Sequence, residues 1–467
     1  MEKKRILVTI SFSFSIRYLY RSGLLHAIQQ FAHPVIAITW NQADFIEELR
    51  AAGFEVHLIP ESQWTTSYGV LRHNIDAWFY TYHTQTRSRN IQNKYLRNFL
   101  PFTQRIKKAA REKFDSIQMR LPGKGAKLFA LEEAMYKNET NYNEMVELVQ
   151  RLNIEAVFTL TPFHKQEDVL LRACKDAGKK MITSILSFDN VTKRGWLPVA
   201  YDVYMVWNKH NHRELLSIYP NLAQSARIVV TGAAQFDFYY NQSYLQSKAE
   251  WSRQVGIDAA NRKIILYAGG PKQLLPQEPM FLKDIDEAIS AGQIPGKPII
   301  LFRCHPIDKI ERWKAAIGPS QNIIYETSWS GSGRLQNANL SDTDIVKLCS
   351  NLAHTDVHIN VCSTMTVDGS AFNKPQIGPG YDNENKRQGR LLRTMYQQDH
   401  FVPIMKSNGL QLARSKHELI KLVNDALANP QNYVQQCDKV LKEIITYTDG
   451  KCANRVATVL KEALHAV

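Results

Sequence analysis

The chain has 467 residues, 44% apolar and 22% charged, a length that favours two domains over one core and a composition that excludes a disordered or low-complexity protein. Lys plus Arg exceed Asp plus Glu by 14. No run approaches the roughly 18 uncharged apolar residues of a membrane span, and the six cysteines include no Cys-x-x-Cys pair, so neither a zinc site nor a disulfide framework is indicated and a reducing cytoplasm fits best.

The N-terminal apolar run is broken at once by Ser11, Ser13, Ser15 and Arg17, which predicts a first strand rather than a signal peptide. Strands over 5–10, 35–39 and 55–59 alternate with helices over 18–31 and 44–52, the pattern of a parallel sheet. Residues 64–150 read as a helical insertion. Between Arg87 and Lys127 twelve basic residues stand against two acidic ones, so ten of the 14 net charges lie there. A solvated helical face accounts for such a run, and so does peripheral contact with an anionic membrane, at the inner face, or with another polyanion.

The sheet pattern resumes with strands over 156–160, 181–186, 203–206 and 228–231. A polar linker follows at 241–260. A second series has strands over 263–268, 298–302, 322–326, 357–361 and 375–377, and helices over 280–291, 344–352, 415–428 and 432–445. The expected fold class is α/β: two Rossmann-like parallel-sheet domains, 1–240 and 241–445, facing each other across a cleft, with a last helix in 446–467 able to pack back on the first domain. Ligands of open parallel sheets bind beyond the carboxyl ends of the strands, so the loops there carry the candidates.

In the second domain three such loops share one chemistry. Gly269-Gly270-Pro271-Lys272 admits close backbone approach and adds a cation, Arg303-Cys304-His305-Pro306 adds charge and a donor, and Ser363-Thr364 offers two hydroxyls at a helix N-terminus. Together they describe a phosphate cradle, although each alone also reads as a turn, a strand stop or an N-cap. Asp368, one turn into that helix, is placed either to accept ribose hydroxyls or to favour the helix dipole.

In the first domain Asp189, in the loop after strand 181–186, is either a general base or an Asx turn. His164, after strand 156–160, is the second base candidate. The acidic pairs Asp284/Asp286 and Asp342/Asp344 fit a helix interior and an N-cap, so no metal and no separate cofactor is expected.

Several segments together resemble the GT-B glycosyltransferases, especially bacterial capsule, teichoic-acid and sialyltransferase-like enzymes of surface carbohydrate. They are 187–195 (SFDNVTKRG), Val206-Trp207-Asn208, 230–237, Arg303-Cys304-His305-Pro306, Ser363-Thr364 and Asp449-Gly450-Lys451 with Arg455. The likeness covers about 155–467 and the N-terminal strands loosely. It implies a nucleotide-activated donor bound by the C-terminal domain, with His305, Ser363 and Thr364 on its phosphate, an acceptor in the N-terminal domain, Asp189 as base, and no metal. Two acids followed by Gly, the sialyltransferase motif, are absent. The Glu-x7-Glu pattern of many retaining relatives is also missing after Ser363, which favours inversion.

The expected activity is transfer of a sugar, or of a polyol phosphate, from a nucleotide donor to a surface-polysaccharide or lipid-linked acceptor. A nucleotide-sugar 2-epimerase uses a similar fold. A nucleic-acid-binding or DNA-glycosylating protein using the basic aromatic segment 78–127 is the alternative from another class.

Overall fold

The computed structural model describes residues 3–82, 87–259, 261–329 and 340–465. The chain forms two compact units: Met1–Asn90, Arg97–Gln235 and Lys451–Val467 in unit 1, and Ile91–Leu96 with Phe236–Gly450 in unit 2.

Unit 1 contains seven parallel strands, β1 (Arg5–Ile10), β2 (His33–Ile38), β3 (Glu55–Leu58), β4 (Ala156–Thr159), β5 (Lys180–Ser184), β6 (Val203–Val206) and β7 (Arg227–Val230), in the order β3-β2-β1-β4-β5-β6-β7. Unit 2 contains β8 (Ile264–Ala268), β9 (Ile299–Arg303), β10 (Ile323–Glu326), β11 (Val357–Asn360), β12 (Gln376–Pro379) and β13 (Gln411–Ala413), in the order β10-β9-β8-β11-β12-β13. Central strands of both sheets are covered on both faces, so their sequences are continuous apolar runs: Ile6, Leu7, Val8 and Ile10 of β1, like Ile264 and Ile265 of β8, have no exposed surface. The strand order reverses between β1 and β4 in unit 1 and between β8 and β11 in unit 2. At these switch points successive crossovers leave in opposite directions and open a crevice beyond the strand ends.

Several elements differ from expectation. The helix expected over 18–31 is broken: a π-helical turn Arg17–Arg21 gives way to a helix at Leu24–Gln29 only after Gly23, whose φ of 78° ends the first segment. Helices at Ile310–Ile317, Lys386–Met395 and Val402–Lys406, and the three-residue strand β13, add to the pattern. Lys386–Met395 hides because it is polar and carries Gly389. A side chain at Gly389 would lie 2.8 Å from the Asp382 backbone nitrogen, so packing outweighs helix propensity there. No helix among the described residues is long and apolar enough to cross a membrane. The final helix, Cys452–His465, packs within unit 1 against Leu24–Gln29.

Between β3 and β4 the chain forms helices at Thr66–Tyr82, Arg87–Arg97, Phe102–Met119, Lys124–Met135 and Tyr142–Leu152. A buried ionic cluster joins three helices of unit 1. Glu132 receives Arg72 and, at 2.6 Å, Arg172. Arg172 also donates to Asp168 at 3.0 Å, and Tyr68 reaches the same carboxylate at 3.5 Å. All four charged side chains are buried. Glu132→Ala leaves two guanidinium groups to share one carboxylate, and removing one partner of a buried ion pair costs about 3–5 kcal/mol. Urea unfolding followed by tryptophan fluorescence is expected to show a clearly lowered midpoint; an unchanged midpoint contradicts this role for the cluster.

Candidate active site

The unit 2 candidates gather because three strands end in register. Ala268 of β8 pairs with Arg303 of β9 on one side and with Asn360 of β11 on the other. The loops beginning at Gly269, Cys304 and Val361 therefore leave adjacent strands at one level, at and beside the switch point.

His305 is half-buried. The Ile307 N–H donates to its Nδ1 at 3.3 Å, so the neutral ring keeps its proton on Nε2 and presents a donor there. Burial pushes its pKa down to about 4, against the opposing pull of Asp308. The ring is thus uncharged at neutral pH and acts as a hydrogen-bond donor rather than as a cation.

Ser363 and Thr364 lie beyond Cys362, whose φ of 48° is left-handed and stores strain on the order of 1–3 kcal/mol. The helix that follows, Met365–Ser370, is only six residues long. A helix start ordinarily leaves unpaired amides to offer an anion, but here the amides around Thr364 are taken. The Ser363 N–H donates to Asn360 Oδ1 at 3.3 Å, the Met365 N–H to Ser363 Oγ at 3.2 Å, and the Thr366 N–H to the Ser363 carbonyl at 3.2 Å. The hydroxyls carry the chemistry instead: Ser363 Oγ accepts and so keeps its hydrogen for donation, and Thr364 is exposed.

The glycine loop is corrected in the same way. A side chain at Gly269 would sit 2.8 Å from Trp313, and one at Gly270 would sit 2.6 Å from Leu275. Both glycines are therefore required by packing. The Gly270 N–H donates to Glu278 Oε2 at 2.7 Å, which commits that amide internally. Lys272 is exposed. Arg303, expected to face an oxyanion, is buried; it donates to the Ser328 carbonyl at 2.8 Å and lies 3.6 Å from Glu326, the residue paired with it on β10. Asp368 is buried and accepts the Tyr239 hydroxyl.

The acidic pairs are likewise occupied. Asp284 accepts from Tyr381 at 2.7 Å and Asp286 from Ser320 at 2.6 Å, while Asp344 closes a capping box with Ser341. Among the described residues no group of three His, Cys, Asp or Glu side chains is placed to hold a metal ion.

In unit 1, His164 stands beyond β4 at the switch point, its ring 5.5 Å from that of Phe12 beyond β1. Burial, then the charge of Arg194, pushes its pKa down to about 3, so it is neutral at pH 7 and only weakly basic in this state. Asp189 lies beyond the next strand, β5, at the head of a short helix, Asn190–Lys193, and pairs with Lys193 at 3.2 Å.

Two features escaped the sequence. Glu167 has no exposed surface and collects the hydroxyls of Thr9 at 2.8 Å, Thr159 at 2.5 Å and Thr161 at 2.6 Å. Burial raises its pKa. This tie links β1 to β4 directly under the switch point. The Asp189 loop, for its part, is braced by helix Thr66–Tyr82. Asp76 accepts the Trp196 N–H at 2.9 Å, Arg72 donates to the Trp196 carbonyl at 3.1 Å, and Tyr80 donates to the Lys193 carbonyl at 3.4 Å.

Several solved structures resemble the chain over nearly its whole length. A putative UDP-N-acetylglucosamine 2-epimerase from Listeria monocytogenes aligns with a TM-score of 0.58 at 12% identity, over 98% of this chain and 96% of its own. The S. aureus MnaA–UDP co-structure aligns with a TM-score of 0.55 at 11% identity, over 99% of this chain and 98% of its own. A glycosyltransferase from Rickettsia africae ESF-5 aligns with a TM-score of 0.53 at 10% identity over the whole of both chains. At such identities the likeness establishes the GT-B fold and no more. No curated protein sequence matches the chain. The family model described as CDP-glycerol:poly(glycerophosphate) glycerophosphotransferase matches residues 192–462. That span is more than half of the chain, which belongs to this family and is a transferase enzyme of surface-polysaccharide synthesis.

Asp76→Ala removes the acceptor of the Trp196 N–H in a half-buried position, a loss of about 1 kcal/mol. Hydrogen exchange is expected to speed up over 190–197 while β4 and β5 keep their protection. Unchanged exchange in the loop contradicts the bracing role.

Proposed function

We propose that the protein transfers glycerol phosphate, or a related polyol-phosphate or glycosyl group, from a CDP-activated donor to the hydroxyl end of a surface polymer or lipid-linked acceptor. The observation that carries this is the placement of His305 and of Ser363-Thr364 at level ends of β9 and β11, the two strands that flank β8, inside the span matched by the glycerophosphotransferase family. For glycerol phosphate, the acceptor oxygen bonds to the glycerol-bearing phosphorus as the bond from that phosphorus to the bridging oxygen breaks. CMP leaves with the electron pair, and the acceptor proton passes to a base. Such an in-line displacement inverts the phosphorus. His305 Nε2–H and the two hydroxyls would stabilise the charge gathering on the leaving phosphate without a metal ion, with Lys272 adding a screened positive charge.

His164, kept neutral at the unit 1 switch point, is one candidate for the base, and Asp189, held by Lys193, is the other. The epimerase alternative rests on fold likeness alone, whereas family membership favours the transferase.

The basic insertion fits an anionic lipid surface. On helix Phe102–Met119 and just beyond it, Phe102, Ile106, Phe114, Ile117 and Leu121 are each more than half exposed. Their spacing of three, four and eight residues puts them along one helical stripe. Arg105, Lys107, Lys108, Arg111 and Lys113 lie among them. An apolar stripe among cations matches a headgroup layer better than a nucleic-acid backbone, which has no use for exposed aliphatic residues.

Release of CMP from CDP-glycerol in the presence of a glycerol-phosphate oligomer is the test of activity, and EDTA is expected to leave it unchanged. Ser363→Ala with Thr364→Ala should lower kcat/KM by about 100-fold or more without altering circular dichroism; full activity would remove these hydroxyls from the site. His305→Ala should raise the donor KM about 10-fold or more, the cost of a hydrogen bond to a charged acceptor. The factor should be the same at pH 6 and pH 8, because the ring is neutral at both. Co-sedimentation with vesicles containing phosphatidylglycerol, and not with phosphatidylcholine alone, is expected to fall when Phe102, Ile106 and Phe114 are changed to Ser. Retention unaffected by these changes would rule out the lipid contact.

A further inference from the structure

Glu278 is a fully buried acid with no assigned role. It precedes helix Pro279–Ser290, exposes no surface, and accepts the Gly270 N–H at 2.7 Å through Oε2. Its other oxygen lies 3.5 Å from the Tyr267 hydroxyl of β8. The space is closed by shape as well, since a side chain at Gly270 would come within 2.9 Å of this carboxyl group. A buried group on the first loop of the switch point, bonded to the one amide that a glycine turn would otherwise offer to a phosphate, is more than packing requires. An apolar side chain would fill the same volume without the cost of burying an acid.

We propose that Glu278 is a positioning residue for the donor: its buried carboxyl group, bonded to the Gly270 N–H, holds the first loop of the donor site in place, and a negative charge gathered there weakens donor binding. The inference rests on the donor reading of unit 2. Burial raises the pKa of Glu278 to about 8, with the Gly270 amide and the charge of Arg312 pulling the other way. The acid is therefore neutral at pH 7 and mostly ionised at pH 9. Ionisation puts a negative charge one hydrogen bond behind the loop, in surroundings of low dielectric, where a donor's pyrophosphate is repelled.

Several titratable groups surround this carboxyl, among them the Cys362 thiol next to Ser363, which interacts with both Tyr95 and Tyr396, so the Glu278→Gln variant is needed to assign the titration. Tyr267 on β8, Tyr95 of helix Arg87–Arg97 and Tyr396 after helix Lys386–Met395 are all held above the ordinary tyrosine range by burial. Burial puts Cys304 at about 12. Asp308 and Arg312 pair at 2.5 Å, and Asp308 also accepts the Trp313 Nε1–H at 3.0 Å. His305 stays neutral throughout this range.

The test is the dissociation constant of CDP-glycerol, measured by calorimetry with the full chain from pH 6.5 to pH 9. Both phosphates of that ligand stay singly ionised over the range. The wild-type protein is expected to bind about 5-fold or more weakly at pH 9 than at pH 7, with the change centred near pH 8. Glu278→Gln has the shape and hydrogen bonds of the protonated acid, and it should keep the pH 7 affinity across the range. A flat wild-type profile overturns the inference while leaving the donor site intact, and needs no variant that might misfold. A wild-type loss that persists in a folded Glu278→Gln protein assigns the titration to another group and overturns it too. Absence of CDP-glycerol binding at every pH overturns the donor reading and this inference with it.

Discussion

The candidate chemistry of unit 2 depends on the parallel pairing that ends β9, β8 and β11 at one level. With Arg303, Ala268 and Asn360 in register, the residues that follow them are neighbours without any long-range side-chain contact to bring them together. Parallel strands all expose their carboxyl ends on the same side, and the reversal of strand order between β8 and β11 opens space there. A one-residue slip in β11 would turn Ser363 away, because alternate residues point to opposite faces. The continuous apolar burial of the strands therefore does more than stabilise: it fixes the register on which His305, Ser363 and Thr364 depend.

The same logic in unit 1 is reinforced by polar ties. Glu167 gathers hydroxyls from β1, β4 and the loop beyond β4, so the strands on either side of that switch point share one buried acceptor. The helical insertion, through Asp76, Arg72 and Tyr80, shapes the loop after β5. Its inner side is thereby part of the scaffold of the Asp189 loop, while the stripe from Phe102 to Leu121 remains exposed. One segment thus carries two sequence signals, aromatic residues for packing and basic residues for a surface.

What could be read from the sequence was whatever is local. Runs such as Ile264-Ile265-Leu266-Tyr267-Ala268, followed at once by Gly-Gly-Pro, announce a buried parallel strand and the loop after it. Ser363-Thr364 after β11 announces a strand-to-helix corner in the same way. What stayed hidden depends on partners far along the chain. Arg303 looked like an anion ligand because nothing near it in sequence shows that Glu326 pairs with it one strand away. Glu278 and Glu167 carry no signal of their own in the sequence, since burial and hydrogen-bond partners are not encoded in adjacent residues. The short helix after Thr364 follows from the sequence, yet its first amides are taken by the Ser363 hydroxyl and carbonyl, a detail that only coordinates supply. Lys386–Met395 was masked by its own polarity and by Gly389, which is there for a close approach rather than for a turn.

The central claim is that the three loops beyond β9, β8 and β11 hold the phosphates of an activated donor. Hydrogen exchange of the full chain with and without saturating CDP-glycerol measures this most directly. Slowed exchange is expected in the peptides that contain Gly269–Lys272, Cys304–Ile307 and Val361–Thr366, with the strands themselves unchanged. Protection confined to other segments, with those three loops exchanging as in the free protein, would contradict it.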